Sequence, residues 1–134
     1  MKPLKNSVKA MVAAAREKIT EYSVSEVIPM LDQDDVVIVD IRDIRERQKL
    51  GFIPGSFHAP RGMLEFWIDP DSPYFKDIFS QDKRFILHCA SGWRSALSTA
   101  TLQDMGFEAA HITEGFNGWV DAGGPVAFPD NKTS

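Results

Sequence analysis

The single cysteine of the chain, Cys89, stands where a nucleophile would be useful. It follows the apolar run 85–88, which predicts a buried strand, and precedes a helical pattern over residues 94–105. Ligands of open parallel sheets bind beyond the carboxyl ends of the strands. A tight loop that enters a helix directs backbone N–H groups inward and adds the positive end of the helix dipole. We expect this loop to stabilise an anion, such as the nucleophilic thiolate of Cys89.

The residues after Cys89 have types that suit an anion site. Gly92 permits the unusual backbone of a tight loop, serine hydroxyls donate to an anionic sulfur, and the Arg94 guanidinium binds oxyanions. Taken singly, Arg94 could be solvated or ion-paired, and Trp93 could be a packing or rim residue. Together they predict one binding loop, whose members are Ala90, Ser91, Gly92, Trp93, Arg94 and Ser95.

Composition limits the class of protein. The 134 residues are 43% hydrophobic and 25% charged, which fits one domain with a single core. A net charge of -4 argues against a nucleic-acid partner, because binding a phosphate backbone requires a basic surface. One cysteine excludes an intramolecular disulfide and a cysteine-rich zinc site. The longest apolar run, residues 10–15, is too short for a membrane span or a signal peptide, so we expect a cytoplasmic protein without a membrane partner.

Strands and helices alternate along the chain. The β-branched run 36–39 is typical of a strand buried on both faces of a parallel sheet. Residues 43–50 favour a helix, which Gly and Pro end before a short strand at 56–58. A further strand at 109–112 and a helix at 116–122 follow. This order predicts an α/β fold, a parallel sheet flanked by helices on both faces.

Apolar residues at spacings of three and four predict an additional amphipathic helix over residues 2–19. A capping box that starts at Ser23 opens a second helix, which Pro29 kinks or shortens. We therefore expect an N-terminal helical extension at 1–19 and one domain at 20–130.

The connection 60–83 is too aromatic for a disordered segment and is predicted to be a packed loop with one or two helical turns. Arg61 and Trp67 follow the carboxyl end of the second strand. Arg61 could be a second contact to an anion, and Trp67 a wall of the pocket. A structural or surface role is the alternative for each.

The histidines and acidic residues offer no competing site. His88 adjoins Cys89, but successive strand residues point to opposite faces, which favours a structural role. His58 and His111 lack the spacing of metal ligands, and the acidic residues of the long connection are expected to be solvated. We expect no metal and no cofactor.

Short motifs occur in a characteristic order along the chain. They are Val37-Ile38-Val39-Asp40-Ile41-Arg42, Glu46, Gly51-Phe52-Ile53-Pro54-Gly55-Ser56, Cys89-Ala90-Ser91-Gly92-Trp93-Arg94-Ser95, Gly106-Phe107, Gly115-Phe116-Asn117-Gly118-Trp119 and Gly123-Gly124-Pro125. By these motifs the chain resembles the rhodanese family in its single-domain form, over roughly residues 20–127. Phe52 departs from the histidine of many relatives. Asp40, Arg42 and Glu46 match positions whose family role is mainly structural, and Arg42 and Glu46, four residues apart, could form an ion pair beneath the loop.

The resemblance implies a thiosulfate sulfurtransferase with a rhodanese fold and a double-displacement mechanism. Cys89 would accept sulfane sulfur as a persulfide, which the backbone of residues 90–95 would bind. Arg94 would help to bind an anionic donor such as thiosulfate. The acceptor would be a thiol or, in an assay, cyanide.

Other functions are left open by the residues. Phosphatases and arsenate reductases of the same fold are one alternative, but cysteine phosphatases place five residues between Cys and Arg, and here four separate Cys89 from Arg94. The shorter loop suits a sulfur atom better than a phosphoryl group.

A non-enzymatic binding or regulatory module is another alternative, although such relatives lack the cysteine that this chain keeps. A third is a carrier that takes sulfur from a relay protein, docked on the basic residues Lys5, Lys9 and Arg16.

Overall fold

Branched apolar residues form the centre of a parallel sheet. The computed structural model describes residues 1–129, and within them the strands are β1 Thr20–Tyr22, β2 Val36–Asp40, β3 Phe57–His58, β4 Arg84–His88 and β5 Ala110–Ile112. They lie in the order β1-β5-β4-β2-β3, and every neighbouring pair is parallel. β2 and β4 pair along their whole length, from Val36 opposite Arg84 to Asp40 opposite His88. The sequence predicted four of these strands but not β1.

Within the same residues, six α-helices connect and cover the strands. They are α1 Val8–Lys18, α2 Val24–Val27, α3 Ile44–Leu50, α4 Leu64–Ile68, α5 Trp93–Asp104 and α6 Gly115–Asp121. The predicted capping box is present, because the Ser23 hydroxyl accepts from the Glu26 N–H and the Glu26 carboxylate from the Ser23 N–H. After α2 the chain narrows to a 3₁₀ turn, Ile28–Asp32, which contains Pro29.

Successive residues of the central strands point to opposite faces of the sheet. On one face, Ile38 and Ile86 pack against α2 and α6. On the other, Val39 and Leu87 pack with Cys89 against α4 and α5. The prediction of a sheet flanked by helices on both faces is therefore confirmed.

The N-terminal helix α1 packs along α5 through small side chains. The buried contacts are Val12 and Ala15 of α1 with Ala96 and Ala100 of α5. Arg16 lies one turn after Val12 on the same face, and its Nη1 donates to Glu21 Oε2 over 2.9 Å. Of the three basic residues of the expected docking surface, Lys5 and Lys9 are exposed and Arg16 is half-buried and ion-paired, and the docking of a partner there stays a prediction.

The expected boundary between residues 19 and 20 stays a prediction, and residue 130, the expected end of the domain, lies outside the described residues. No helix among residues 1–129 is long and apolar enough to cross a membrane.

A buried ion pair closes the carboxyl end of β2. Arg42 donates from Nε to Asp40 Oδ1 over 3.0 Å and from Nη2 to Asp40 Oδ2 over 2.8 Å, and both side chains are fully buried. The expected pair between Arg42 and Glu46 was wrong. Because α3 begins only at Ile44, Arg42 lies outside that helix and cannot share a helical face with Glu46.

Candidate active site

The turn between β4 and α5 directs two backbone donors at the sulfur of Cys89. The N–H of Gly92 lies 3.1 Å from Sγ, and the N–H of Ser95 lies 3.4 Å from it. The Ser95 hydroxyl is 3.5 Å from the same sulfur. Gly92, at φ 95, provides the left-handed residue that starts α5, and Cys89 itself is only 1% exposed. The sulfur thus lies at the base of a polar cradle at the start of a helix.

The start of α6 holds the other side of this loop. The N–H of Phe116 donates to the carbonyl of Cys89 over 2.8 Å, and the N–H of Asn117 to that of Ala90 over 3.0 Å. Gly115 is required there, because a Cβ at that position would lie 2.5 Å from the Ala90 oxygen. The loop is therefore fixed by backbone contacts that do not depend on its side chains.

Arg94 is held beside the loop by Glu46 of α3. Its two terminal nitrogens donate to the two carboxylate oxygens over 2.8 and 3.0 Å. The hydrogen bonds of this pair raise the pKa of Arg94 and lower that of Glu46, and nearby Cys89 further favours the charged guanidinium. A guanidinium has five N–H donors, so Glu46 leaves Arg94 with donors for an anion.

The remaining candidate residues differ in their burial and in the residues that they contact. Ser91 and Trp93 are exposed, and Ala90 is half-buried. Arg61 lines a groove with residues of α4 and α5, Glu65, Ser98 and Thr101, and not with the cysteine loop. Trp67 packs edge-on against Phe57 with ring centres 6.2 Å apart. The structure thus brings together residues 89–95, whereas a role for Arg61 in substrate binding stays a prediction.

Sequence analysis missed a buried hydrogen-bonded chain behind Ser95. The Ser95 hydroxyl lies 2.8 Å from His111 Nδ1, and His111 Nε2 lies 2.8 Å from Glu21 Oε2, which also accepts from Arg16. Pairing of β1 with β5 creates this contact, since Glu21 is directly opposite His111. Sequence analysis could have found the contact between Glu21 and His111 only by predicting β1 as a strand that pairs with β5.

His88, the last residue of β4, points to the opposite face of the sheet from Cys89. Its Nδ1 is 3.1 Å from the carbonyl oxygen of Cys89, not from the sulfur, and its Nε2 is 3.8 Å from Asp40. His58 Nε2 lies 2.7 Å from the carbonyl oxygen of Arg42.

The two buried histidines predict a loss of stability in acid. Burial lowers the pKa of His88 and of His111, and the opposing charges of Asp40 and Glu21 do not cancel this effect. Unfolded histidines bind protons near pH 6.5, whereas burial makes proton uptake by these two less favourable in the fold, so the free energy of unfolding falls as pH decreases below about 6.5. We expect a lower urea midpoint at about pH 5.5 than at about pH 7.5, with a smaller difference in His111→Gln. An equal or higher midpoint in acid would contradict this.

Comparisons with known proteins show the family. A family model described as the rhodanese-like domain matches residues 23–122. The chain belongs to the rhodanese-like family. The matched residues include the strands β2 to β5 and the loop after Cys89.

Two curated relatives and one solved structure illustrate the similarity. A mouse protein, thiosulfate sulfurtransferase/rhodanese-like domain-containing protein 3, is 29% identical over 101 residues, which are 71% of this chain and 64% of the mouse protein. The thiosulfate sulfurtransferase GlpE of Pseudoalteromonas translucida is 32% identical, over 75% of this chain and 88% of GlpE. A structure from Rhodopseudomonas palustris, described as a protein of unknown function and possible tyrosine phosphatase, is 50% identical with a TM-score of 0.91, and covers 95% of this chain and 98% of that one. The chain therefore spans less than two thirds of the mouse relative and most of the other two.

Proposed function

We propose that this rhodanese-like protein moves sulfane sulfur from thiosulfate to a thiophilic acceptor through a persulfide on Cys89. The observation that carries the proposal is the pair of backbone N–H groups, from Gly92 and Ser95, that point at the sulfur of the only cysteine. Donors in this arrangement favour a thiolate over a thiol, and the thiolate is the attacking species.

The reaction takes place in two displacements. The Cys89 thiolate attacks the outer sulfur of thiosulfate, the S–S bond of the donor breaks, and sulfite leaves with the electron pair of that bond. The product is a persulfide with one negative charge on its terminal sulfur. An acceptor such as cyanide then bonds to that sulfur, and the Cys89 thiolate is released as the leaving group. No net proton or electron is required from outside.

Arg94 and the start of α5 supply the positive charge that the donor needs. Thiosulfate and the departing sulfite are both dianions, and the free N–H groups of Arg94 are suited to oxyanions. Glu46 keeps the guanidinium beside the loop through its bidentate pair. We expect Arg94 to bind the donor and Glu46 to position Arg94.

Phosphate-ester hydrolysis is the second candidate, because the structure from Rhodopseudomonas palustris is described as a possible tyrosine phosphatase. The loop favours sulfur transfer. Four residues separate Cys89 from Arg94, and the N–H of Ser95 points at the sulfur itself. A smaller loop suits a single added sulfur atom better than a tetrahedral phosphoryl group.

The physiological donor is a separate part of the proposal. A sulfur-relay protein could supply the persulfide in place of thiosulfate, with exposed Lys5 and Lys9 near its docking surface. A regulatory module without chemistry is less favoured, because the cysteine and its donors are retained.

The intact mass of the protein tests sulfur transfer directly. We expect thiosulfate to add the mass of one sulfur atom, cyanide to remove it, and Cys89→Ser to gain nothing, because only Cys89 can form a persulfide. Ser25→Ala is the matched control, since Ser25 is an exposed residue of α2 outside the cysteine loop, and it should load like the wild type.

Two results would contradict the proposal. One is the absence of any mass gain in the wild type, combined with hydrolysis of an aryl phosphate that depends on Cys89. The other is a mass gain that persists in Cys89→Ser. Initial rates with thiosulfate and cyanide should also follow ping-pong kinetics, and a requirement for a ternary complex would exclude double displacement.

A further inference from the structure

Hydrogen bonds connect Cys89, Ser95, His111 and Glu21 in that order, and the donor of each bond can be assigned. The Glu21 carboxylate can only accept, so His111 donates from Nε2. A neutral imidazole then carries no proton on Nδ1, which accepts from the Ser95 hydroxyl. With its own proton committed to His111, the Ser95 oxygen is left to accept from the thiol of Cys89.

The three inner members of this hydrogen-bonded chain, Cys89, Ser95 and His111, are shielded from water. Cys89 is 1% exposed, and Ser95 and His111 are fully buried. Glu21 is half-buried and is paired with Arg16 over 2.9 Å. Bulk water therefore does not compete for a proton that leaves the sulfur toward Ser95.

We propose that His111 takes up the proton of the Cys89 thiol through the Ser95 hydroxyl, and that Glu21 stabilises the imidazolium that results. This deepens the proposed function, on which it rests, by assigning the step that forms the nucleophile. Ser95 contacts the reacting sulfur, whereas His111 and Glu21 act through Ser95 and are positioning residues.

The proton shift balances without any other reactant. The S–H bond of Cys89 breaks and its proton passes to the Ser95 oxygen, while the former hydroxyl proton of Ser95 moves to His111 Nδ1. The products are a thiolate that accepts from Ser95 and an imidazolium that donates to Ser95 and to Glu21. The sulfur keeps one negative charge through both displacements of the proposed cycle, so the imidazolium remains its counter-charge.

The groups around His111 agree with this role. Burial lowers the pKa of His111 in the resting fold, and Arg16 acts in the same direction, so both favour the neutral ring before the thiol ionises. Glu21 acts in the opposite direction through its hydrogen bond and its charge. The charged or titratable groups that face this hydrogen-bonded chain are Arg16 from α1, Glu21 from β1, Cys89 after β4 and, beside the thiol, Arg94 from α5.

The ultraviolet absorbance of the thiolate provides the test, because the chain has one cysteine and Cys89→Ser gives the background. We expect His111→Gln, which keeps a donor toward Glu21 but has no proton acceptor for Ser95, to raise the pH midpoint of thiolate formation by about one unit. About tenfold less thiolate would then be present at neutral pH, the effect of losing one charge-assisted hydrogen bond. Glu21→Gln should shift the midpoint in the same direction and, at a half-exposed position, should fold.

Matched controls separate this effect from loss of charge or of a hydroxyl. Glu17→Gln removes an exposed carboxylate of α1, and Ser98→Ala removes a buried hydroxyl one turn after Ser95, so both should keep the wild-type midpoint. An unchanged midpoint in both His111→Gln and Glu21→Gln would overturn the proposal. Because this assay uses no thiosulfate, failure of sulfur loading with a shifted midpoint would reject the proposed function and leave the proton path intact.

Discussion

Asp40→Ala is expected to lower the free energy of unfolding by about 3–5 kcal/mol, because it leaves the Arg42 guanidinium buried without its counter-charge. Asp40 accepts from Arg42 through three nitrogens and from Arg47 Nη1 over 3.0 Å. Burial would raise the pKa of this carboxyl, but the hydrogen bonds and charges of Arg42 and His88 lower it to about 2. Asp40 therefore stays ionised in the fold.

Urea denaturation of two further variants tests this explanation. Asp35→Ala breaks an exposed pair with Arg84, 3.4 Å apart, and should cost less than about 1 kcal/mol. The double variant Asp40→Ala with Arg42→Met removes the unpaired charge and should recover part of the loss. Equal losses in Asp40→Ala and Asp35→Ala would show that the buried pair does not stabilise the fold as described.

Gly92→Ala is expected to slow sulfur loading of Cys89 by about 100-fold, because it displaces the loop that holds the sulfur. A Cβ at Gly92 would lie 2.2 Å from the carbonyl oxygen of Thr113 and 3.0 Å from Arg16 Nη2. The backbone must move to relieve this contact, and the N–H that points at Cys89 moves with it. The measurement is the rate of mass gain in thiosulfate.

Gly106→Ala is the matched control for Gly92→Ala. Gly106 has nearly the same backbone angle, φ 88, but no atom within 4 Å of an added Cβ. Both variants bear the strain of a left-handed alanine, about 1 kcal/mol, and only Gly92→Ala adds the collision. Equal loading rates for the two would show that the close approach of Thr113 does not position the loop.

The parts of the fold that were predictable depend on local patterns. The branched run of β2 and the helical spacing of α5 are visible in single segments, so their positions were predicted within about two residues. The residues Thr20, Glu21 and Tyr22 show no such pattern, and they become a strand only because β5 offers them a partner.

The site shows the same division between local and distant contacts. Cys89, Gly92 and Ser95 lie in one loop, and their types indicated an anion cradle. Glu46 and His111 reach the loop from other elements, through the start of α3 and the register of β5, and spacing along the chain carries no information about such contacts. The four-residue spacing of Arg42 and Glu46 therefore suggested an ion pair between them, but in the fold Glu46 pairs with Arg94.

The position of β1 at the outer end of the sheet has a consequence for assembly. Residues 20–22 cover one side of β5, and the family match begins only at residue 23. If the first 22 residues detached, the backbone donors and acceptors of β5 would face solvent as an open edge. The same residues of a second copy would fit that edge in register, so this segment is where two chains could exchange strands.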